Sequence, residues 1–473
     1  MSQVNAADFR IISSADDVIE NYAGAGQDAK MGVEVELAFF DPAVPDLPSM
    51  NVAQNEALSA EGTARYKGDW IRIEPTAETM EINSAACTFD KLPKILADTQ
   101  DKIGKLTALA AEMGLKRSFF SDLPDKTHLE LLQNVVNVDR YEAFFKPPRE
   151  DMMDIAAYFS VCKSNQVSVS YRDPDHMLGN VRRLYALAPF LFMMSDNTSG
   201  FAEGQPVTYH HGMHYRRHLH GRGGCPCYVF SAQSGEEYLD AHIHHVMNNP
   251  LYVYYDEAGI LHRIPSGVWM TMNTLKEQGL NTASNFHLSE SILWPDVKLA
   301  ALKNKDEQVV AHRYEARMFG VGLHQHNSAA LIVGALAFDE DFAAKIDELL
   351  ASFGFDFAKE EETRLLVRES YMAAYQHNNQ YFEIAYGNGR MSDFAQRFAD
   401  ILEGAADKHD FSEMAAPILK ICRSGMTDAK VNHLLLPTLQ DVRDLQKSYD
   451  PALFENPYKC NADIFADRLK NAA

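Results

Sequence analysis

The chain of 473 residues is 46% hydrophobic and 23% charged, which is typical of a soluble globular protein and excludes a disordered or fibrous one. Its formal net charge of -22 argues against nucleic acid as a partner, because that binding depends on neutralising phosphates with Lys and Arg. Six cysteines in so long a chain do not predict a disulfide framework.

Nothing in the sequence predicts a membrane segment or a division by linkers. The longest apolar run, Leu184 to Met194, is interrupted by Pro189 and is too short to cross a bilayer. The first residues lack a signal-peptide pattern, so we expect a cytoplasmic protein. No Pro-, Ser- or Gly-rich spacer occurs, so we predict one continuous unit. It consists of a core at 1–340 and a helical C-terminal subdomain at 341–473 packed on that core.

The first part of the chain combines helices and strands. A short helix is predicted from Ser13 to Asn21, followed by a strand from Met31 and two strands between 69 and 84. Apolar residues at helical spacing predict a helix from Phe89 to Met113. A strand at 165–171 is then expected between two helices.

The remaining part is predicted to be increasingly helical. We expect loops and short strands around a site between 197 and 287, and a strand at 312–319. Strands scattered among helices without a strict βαβ alternation favour an α+β fold with a mainly antiparallel sheet. The further predicted helices are Asp151 to Val161, Asp175 to Met194, Asp339 to Phe353, Glu361 to Gln376, Ser392 to Asp407 and Thr427 to Gln446.

Four of the predicted strands carry charged or amide side chains at every second residue. They lie at 32–37, at 70–74 running on to 80–83, at 165–170 and at 313–318. Since successive side chains of a strand point to opposite faces, one face can pack on a core while the other forms a polar funnel. Four solvated antiparallel faces would give the same alternation. The recurrence of glutamate and the absence of lysine in these segments favour a functional site.

Carboxylates that converge on one cavity repel each other, so they need a compensating cation or a shared proton. Mg²⁺ prefers oxygen ligands and commonly bridges carboxylates and phosphates. The candidate ligands for two or three Mg²⁺ ions, with Mn²⁺ as an alternative, are Glu34, Glu36, Glu74, Glu81, Glu315 and Gln166. Arg317 lies on the same predicted face as Glu315, where it could hold phosphoryl oxygens. No glycine-rich phosphate loop is convincing, so ATP would bind through metal ions and arginines.

A basic segment lies between His210 and Cys227. We favour a substrate- or nucleotide-binding loop here, with a zinc site or ordinary surface histidines as the alternatives. The candidate residues for substrate or nucleotide binding, here and elsewhere, are Arg72, Ser168, Arg182, Arg216, Arg222, Arg313 and Arg317.

The order of the motifs resembles the glutamate-cysteine ligase family, within the carboxylate-amine ligases of glutamine-synthetase-like fold. The segment Gly32–Glu36 resembles the family's G-x-E-x-E strand, and Glu74 and Glu81 resemble its acid-x6-acid pair. The other similar segments are Gln166–Val169, Arg182–Phe201, His287–Leu299 and Tyr314–Arg317. Ser168 stands where the plant-type branch has asparagine.

This resemblance implies a catalytic core that binds Mg²⁺ through the acids and contacts the transferred phosphate through Arg317, with Glu315 beside it. ATP would phosphorylate the side-chain carboxylate of glutamate, and the amine of cysteine would then form γ-glutamylcysteine, the first step of glutathione biosynthesis. Two alternatives stay open. One is a ligase of the same fold with a different amine acceptor, and the other is a non-catalytic regulator that binds nucleotide or metal.

Overall fold

A central antiparallel sheet organises the protein. The computed structural model describes residues 8–19, 22, 24, 29–67, 69–146, 150, 153, 157, 160–207, 222–303, 309–359 and 389–472. The strands of the sheet are β1 (Met31–Phe40), β2 (Ile71–Ile73), β3 (Thr79–Asn83), β4 (Lys116–Arg117), β5 (Ser164–Ser170), β6 (Val297–Lys303) and β7 (Val309–Gly320). Their order is β6-β7-β5-β1-β3-β2, with β4 paired to the end of β1, and every pair is antiparallel. The predicted α+β class with a mainly antiparallel sheet is confirmed.

Helices surround this sheet and continue beyond it. The longer ones are α1 (Val52–Tyr66), α2 (Leu92–Glu112), α3 (Asp139–Phe145), α4 (Pro174–Met194), α5 (Gly235–Asn248), α6 (Ala283–Ser291), α7 (Gln325–Phe338), α8 (Glu340–Ser352), α9 (Met391–His409), α10 (Ser412–Ser424), α11 (Asp428–Leu435) and α12 (Leu439–Ser448). Short α-helices span Asp16–Ile19, His128–Leu131, Tyr228–Ser231, Met272–Lys276, Asn461–Ile464 and Ala466–Ala472. Short 3₁₀ helices span Phe89–Lys91, Leu132–Asn134 and Pro451–Glu455, and short strand pairs join Phe201–Ala202 to Gln205–Pro206, Gly223–Gly224 to Trp294–Pro295, and Val253–Tyr255 to Leu261–Arg263.

One face of the sheet forms the core. Val35, Val167 and Tyr314 are buried on this face, which packs against α4 and α7. Helix α7 approaches the sheet closely at Gly334, where a Cβ atom would lie only 2.9 Å from the sulfur of Met31. The apolar alternation of the strands therefore predicts the buried face correctly.

Several helix predictions need correction. Loops and short strands were expected at 197–287, but its described part also contains α5, which Ser234 caps by accepting a hydrogen bond from the backbone N–H of Glu237. The predicted helix from Thr427 to Gln446 is wrong in its continuity, since α11 ends before Pro437 and α12 begins after it. Helix α1 was not predicted.

Two other predicted helices fall wholly or largely on residues outside the described ranges. The one at 361–376 lies outside the described residues, and the one at 151–161 lies largely outside them.

The C-terminal helices pack on the core through buried polar contacts. His324 Nε2 lies 3.1 Å from Asp428 Oδ2, and Gln325 donates a hydrogen bond of 2.8 Å to the same oxygen. The functional division at residue 340 stays a prediction. Among the helices in the described ranges, none is long and apolar enough to span a membrane.

A buried ion pair joins the residue before β5 to the loop before β3. Lys163 Nζ lies 2.9 Å from Glu78 Oε1, and both side chains are at most 3% exposed. The same carboxylate oxygen accepts hydrogen bonds from Thr76 and Thr79. Removing only one charge would leave the other buried without its counter-charge.

We predict that Lys163→Met lowers the free energy of unfolding by about 3–5 kcal/mol, because Glu78 then lacks its cation. Urea denaturation measures this change. The matched control is Lys470→Met, which breaks the exposed pair with Asp467 and should change stability by less than about 0.5 kcal/mol. Adding Glu78→Gln to Lys163→Met should restore part of the loss. Equal losses from the two single lysine variants would contradict the prediction.

Candidate active site

The polar face of the sheet forms the floor of a cavity of about 280 Å³. The charged and amide side chains that line it are Glu34, Glu36, Glu74, Glu81, Arg140, Gln166, Lys298, Arg313, Glu315 and Arg317. Strand register explains why they meet, since Glu36 lies opposite Glu81, and Glu34 lies opposite Gln166. The alternating residues Arg313, Glu315 and Arg317 of β7 face the same cavity.

Three carboxylates in the cavity form a compact group. Each of Glu36, Glu74 and Glu81 offers an oxygen, and these atoms all lie within 4.8 Å of one another. Gln166 donates an amide hydrogen bond of 2.8 Å to Glu36, whose other oxygen accepts one of 2.6 Å from the backbone N–H of Ser164. Asn83 similarly orients Glu81 with a hydrogen bond of 2.9 Å. We name these three acids the carboxylate triad.

Burial and mutual repulsion make the carboxylate triad difficult to ionise. Burial, followed by the charge of Glu36, raises the pKa of Glu74 to about 8. Burial also raises the pKa of Glu36, and together with the neighbouring acids it raises that of Glu81 well above its usual range. A hard divalent cation would relieve both effects, and an all-oxygen donor set fits Mg²⁺ or Mn²⁺.

The two remaining acids pair with arginines. Arg313 lies 2.8 Å from Glu34 and 3.4 Å from Glu315, while Arg317 lies 2.7 Å from Glu315. Burial and the charge of Glu315 raise the pKa of Glu34 to about 7. Burial alone would raise the pKa of Glu315, but Arg317 and Arg313 lower it below its ordinary value. The six predicted metal ligands therefore divide into the carboxylate triad with Gln166 and an acid–arginine network.

The predicted binding residues outside β7 differ from one another in their positions relative to the cavity. Ser168 is buried and its hydroxyl donates a hydrogen bond of 3.3 Å to Glu315. Arg72 is exposed on β2 and does not line the cavity. Arg182 donates to the carbonyl groups of Val229 and Ala232.

Arg222 also lies away from the cavity lining. It donates to the carbonyls of Pro250 and Ile292 and stacks over Tyr252. Like Arg182, it donates to backbone carbonyl groups, and the binding role of both arginines stays a prediction. Arg216 and most of the segment 210–227 lie outside the described residues.

Sequence reasoning missed two cations of the cavity. Lys298 lies directly opposite Glu315 in the register of β6 and β7, and it donates a hydrogen bond of 3.1 Å to the Ser291 carbonyl. Burial, followed by the charge of Arg317, lowers its pKa to about 8. Arg140 reaches the cavity from α3. Lys298 and Ala300 alternate with Val297 and Leu299, and this period of two indicates a strand with Lys298 on one face. Nothing near Arg140 in the sequence indicated its position.

An apolar wall of the cavity was also missed. Its members come from α3 and from the segment before β6, and they are Tyr141, Phe144, Phe145, Ile292 and Trp294. An apolar wall facing a charged floor is the usual composition of a small-molecule pocket.

Comparison with known proteins gives structural similarities at low sequence identity. No protein-family model matches the chain, and no curated protein matches its sequence. The structure is similar to a glutamate-cysteine ligase of Francisella tularensis in complex with AMP, with a TM-score of 0.47, 12% identity and 95% of each chain covered. It is also similar to a bifunctional glutathione synthetase of Pasteurella multocida, with a TM-score of 0.39, 12% identity, and 90% of this chain and 51% of that chain covered. The first of these carries the name of the family that the sequence motifs resemble.

We predict that Glu74 contributes a fall in the free energy of unfolding of the metal-free protein as the pH rises from about 5 to 8. Folded Glu74, with a pKa of about 8, retains a proton that the unfolded chain releases near pH 4.5, so a rising pH favours unfolding. Saturating Mg²⁺ should flatten this dependence. Urea denaturation across this pH range, with EDTA or with Mg²⁺, measures both effects.

Glu74→Gln is the variant that isolates this contribution. It should show a shallower pH dependence in EDTA, because the amide does not titrate. An unchanged slope in this variant, together with no effect of Mg²⁺ on the parent protein, would contradict the assignment.

Proposed function

We propose that this protein is an ATP- and Mg²⁺-dependent ligase that forms a γ-glutamyl amide bond, with glutamate and cysteine as the favoured substrates. The observation that carries the proposal is the meeting of a carboxylate triad, an acid–arginine network and a buried lysine in one cavity. Phosphoryl transfer requires this combination of oxygen ligands and fixed cations. The named similarities agree with this assignment, which depends on the site itself.

The carboxylate triad would hold Mg²⁺, with the amide of Gln166 beside it. When bound, Mg²⁺ would neutralise phosphate charge and orient the nucleotide. The fit follows from the donor set, because three buried carboxylates with raised pKa values lack enough fixed positive charge of their own. Glu34 and Glu315 stay candidate metal ligands, because the phosphates of a bound nucleotide would compete with them for Arg313 and Arg317.

The cationic side chains would position the reacting groups. Arg317 is held by Glu315 at 2.7 Å, which fixes its guanidinium at the cavity floor. Lys298 lies opposite Glu315 on the neighbouring strand, and Arg313, two residues before Glu315 on β7, lies 3.4 Å from its carboxylate. Cations fixed before substrate binds need no reorganisation as charge develops on a transferring phosphoryl group.

The proposed reaction needs no protein nucleophile. The side-chain carboxylate of glutamate takes the terminal phosphoryl group of ATP, and ADP leaves with the electrons of the broken bond. The acceptor amine then forms a bond to the acyl carbon, phosphate leaves, and the amine releases a proton. The residues of the cavity bind the substrates, exclude water and hold them in line.

The location and the partners are also proposals. We infer a cytoplasmic enzyme whose partners are ATP, glutamate and an amine, with a catalytic core at 1–340 and a helical subdomain at 341–473. The aromatic and aliphatic wall beside the charged floor offers a place for an uncharged part of a substrate.

We predict that Arg317→Met and Glu315→Gln each reduce the release of ADP from ATP, Mg²⁺, glutamate and cysteine by at least about 100-fold. The first removes the cation and the second removes the carboxylate that orients it. A coupled assay for ADP measures the rates. Arg65→Met is the matched control, because Arg65 pairs with Glu61 and Glu112 on the surface.

The control variant should keep the parent rate. No ADP release by the folded parent protein with any amine tested would reject the ligase proposal. Parent rates in both site variants would reject the roles of Arg317 and Glu315.

The acceptor is tested separately by mass spectrometry of the products from a panel of amines. We predict that cysteine gives a product with the mass of γ-glutamylcysteine and equimolar ADP and phosphate. Product formation with another amine, and none with cysteine, would select the alternative ligase and leave the activating chemistry unchanged.

A further inference from the structure

A second group of metal-ligating side chains lies on the opposite side of the sheet from the cavity. It combines Glu290 near the end of α6, His287 one turn earlier, and His312 on β7. Glu290 and His312 are 3% and 1% exposed. His312 precedes Arg313 in an extended strand, so the two side chains point to opposite faces. This group is therefore separate from the carboxylate triad.

Two neighbouring side chains orient the Glu290 carboxylate. The Tyr22 hydroxyl donates a hydrogen bond of 2.9 Å to Oε1, and His242 Nε2 lies 3.5 Å from the same oxygen. His242 is itself positioned by the Tyr228 hydroxyl, which lies 2.9 Å from its Nδ1. Outer contacts of this type fix the orientation of metal ligands.

The other carboxylate oxygen faces two histidines at distances that suit a shared ion. His287 Nδ1 lies 3.5 Å and His312 Nε2 lies 3.7 Å from Glu290 Oε2. These separations exceed the usual 2.7–3.2 Å of N–H···O hydrogen bonds. Ligands at about 2.0–2.1 Å from a tetrahedral ion are roughly 3.4 Å apart, which is close to both separations.

The atoms of the group can therefore surround one ion without large movement. The three ligand atoms all lie within 4.8 Å of one another. In addition, His287 Nδ1 is buried and makes no hydrogen bond among the described residues. A nitrogen placed in this way is available to bind a metal.

We propose that His287 Nδ1, Glu290 Oε2 and His312 Nε2 bind one transition-metal ion of the Zn²⁺ type. Two imidazoles and one carboxylate select such an ion over Mg²⁺, which prefers oxygen ligands. The fourth position takes water or another small ligand. The ion joins the end of α6 to β7 directly behind the cavity, since Ser291 and Arg313, which follow Glu290 and His312, line it.

The test measures Zn²⁺ and Co²⁺ binding by the chelator-treated full chain in excess Mg²⁺, which occupies the all-oxygen site. We expect one bound ion per chain, a visible Co²⁺ spectrum typical of mixed nitrogen and oxygen ligands, and a higher midpoint of thermal unfolding with Zn²⁺. His287→Ala and His312→Ala should each weaken binding at least 10-fold. Tyr22→Phe should weaken it less, because it removes only an orienting contact.

His262→Ala is the matched control, because His262 forms a surface pair with Asp256 at 2.7 Å. It should bind the ion as the parent protein does. His287 is partly exposed, so His287→Ala keeps the test independent of any misfolding of the His312 variant. Parent protein that binds no ion in excess Mg²⁺, or binding that is equal in His287→Ala and His262→Ala, would overturn the proposal. Neither result bears on ADP release, which tests the ligase function separately.

Discussion

The concentration of glutamates on one buried sheet face is the constraint on which the rest of the site depends. Glu36 and Glu81 lie directly opposite each other on adjacent strands, an arrangement that is destabilising for like charges. The acids of this face differ in how the repulsion is compensated. Arg313 and Arg317 compensate Glu34 and Glu315, whereas the carboxylate triad is left with raised pKa values. That difference divides the cavity floor into a region with fixed cations and a region of carboxylates without enough compensating charge.

The strands that carry these glutamates need packing on the opposite face of the sheet to keep their positions. Helix α7 supplies this support, since its residues from Gln325 to Ala337 are all buried. At Gly334 it approaches the sheet too closely for a larger side chain. The ion pair between Lys163 and Glu78 adds a second fixed point at the start of β5, beside the backbone N–H of Ser164 that binds Glu36. Packing and site geometry are thus coupled through individual strands.

The alternation of the strands predicted the acids of the polar face, because a period of two is a local property of the backbone, and the absence of a strict βαβ alternation predicted the antiparallel sheet. The period of two could not divide the acids into two groups, since that division depends on cross-strand pairs such as Glu34 with Arg313, 279 positions apart. The sequence also did not indicate that Arg182 and Arg222, both predicted to bind substrate or nucleotide, donate hydrogen bonds to backbone carbonyls. Arg140 was missed because the packing of a helix against a distant sheet leaves no pattern in its own sequence.

Strand β7 connects the proposed histidine site to the acid–arginine network through the geometry of a single backbone. Its odd-numbered residues Arg313 and Glu315 face the cavity, while His312 points to the opposite side. A shift of β7 that changes the distance from His312 to Glu290 must therefore also move the acid–arginine network. An ion on the histidine side would restrict this movement, because its short bonds tolerate little change in ligand position. Rigidity on the histidine side of the sheet would then fix the positions of Arg313 and Arg317 on the cavity side.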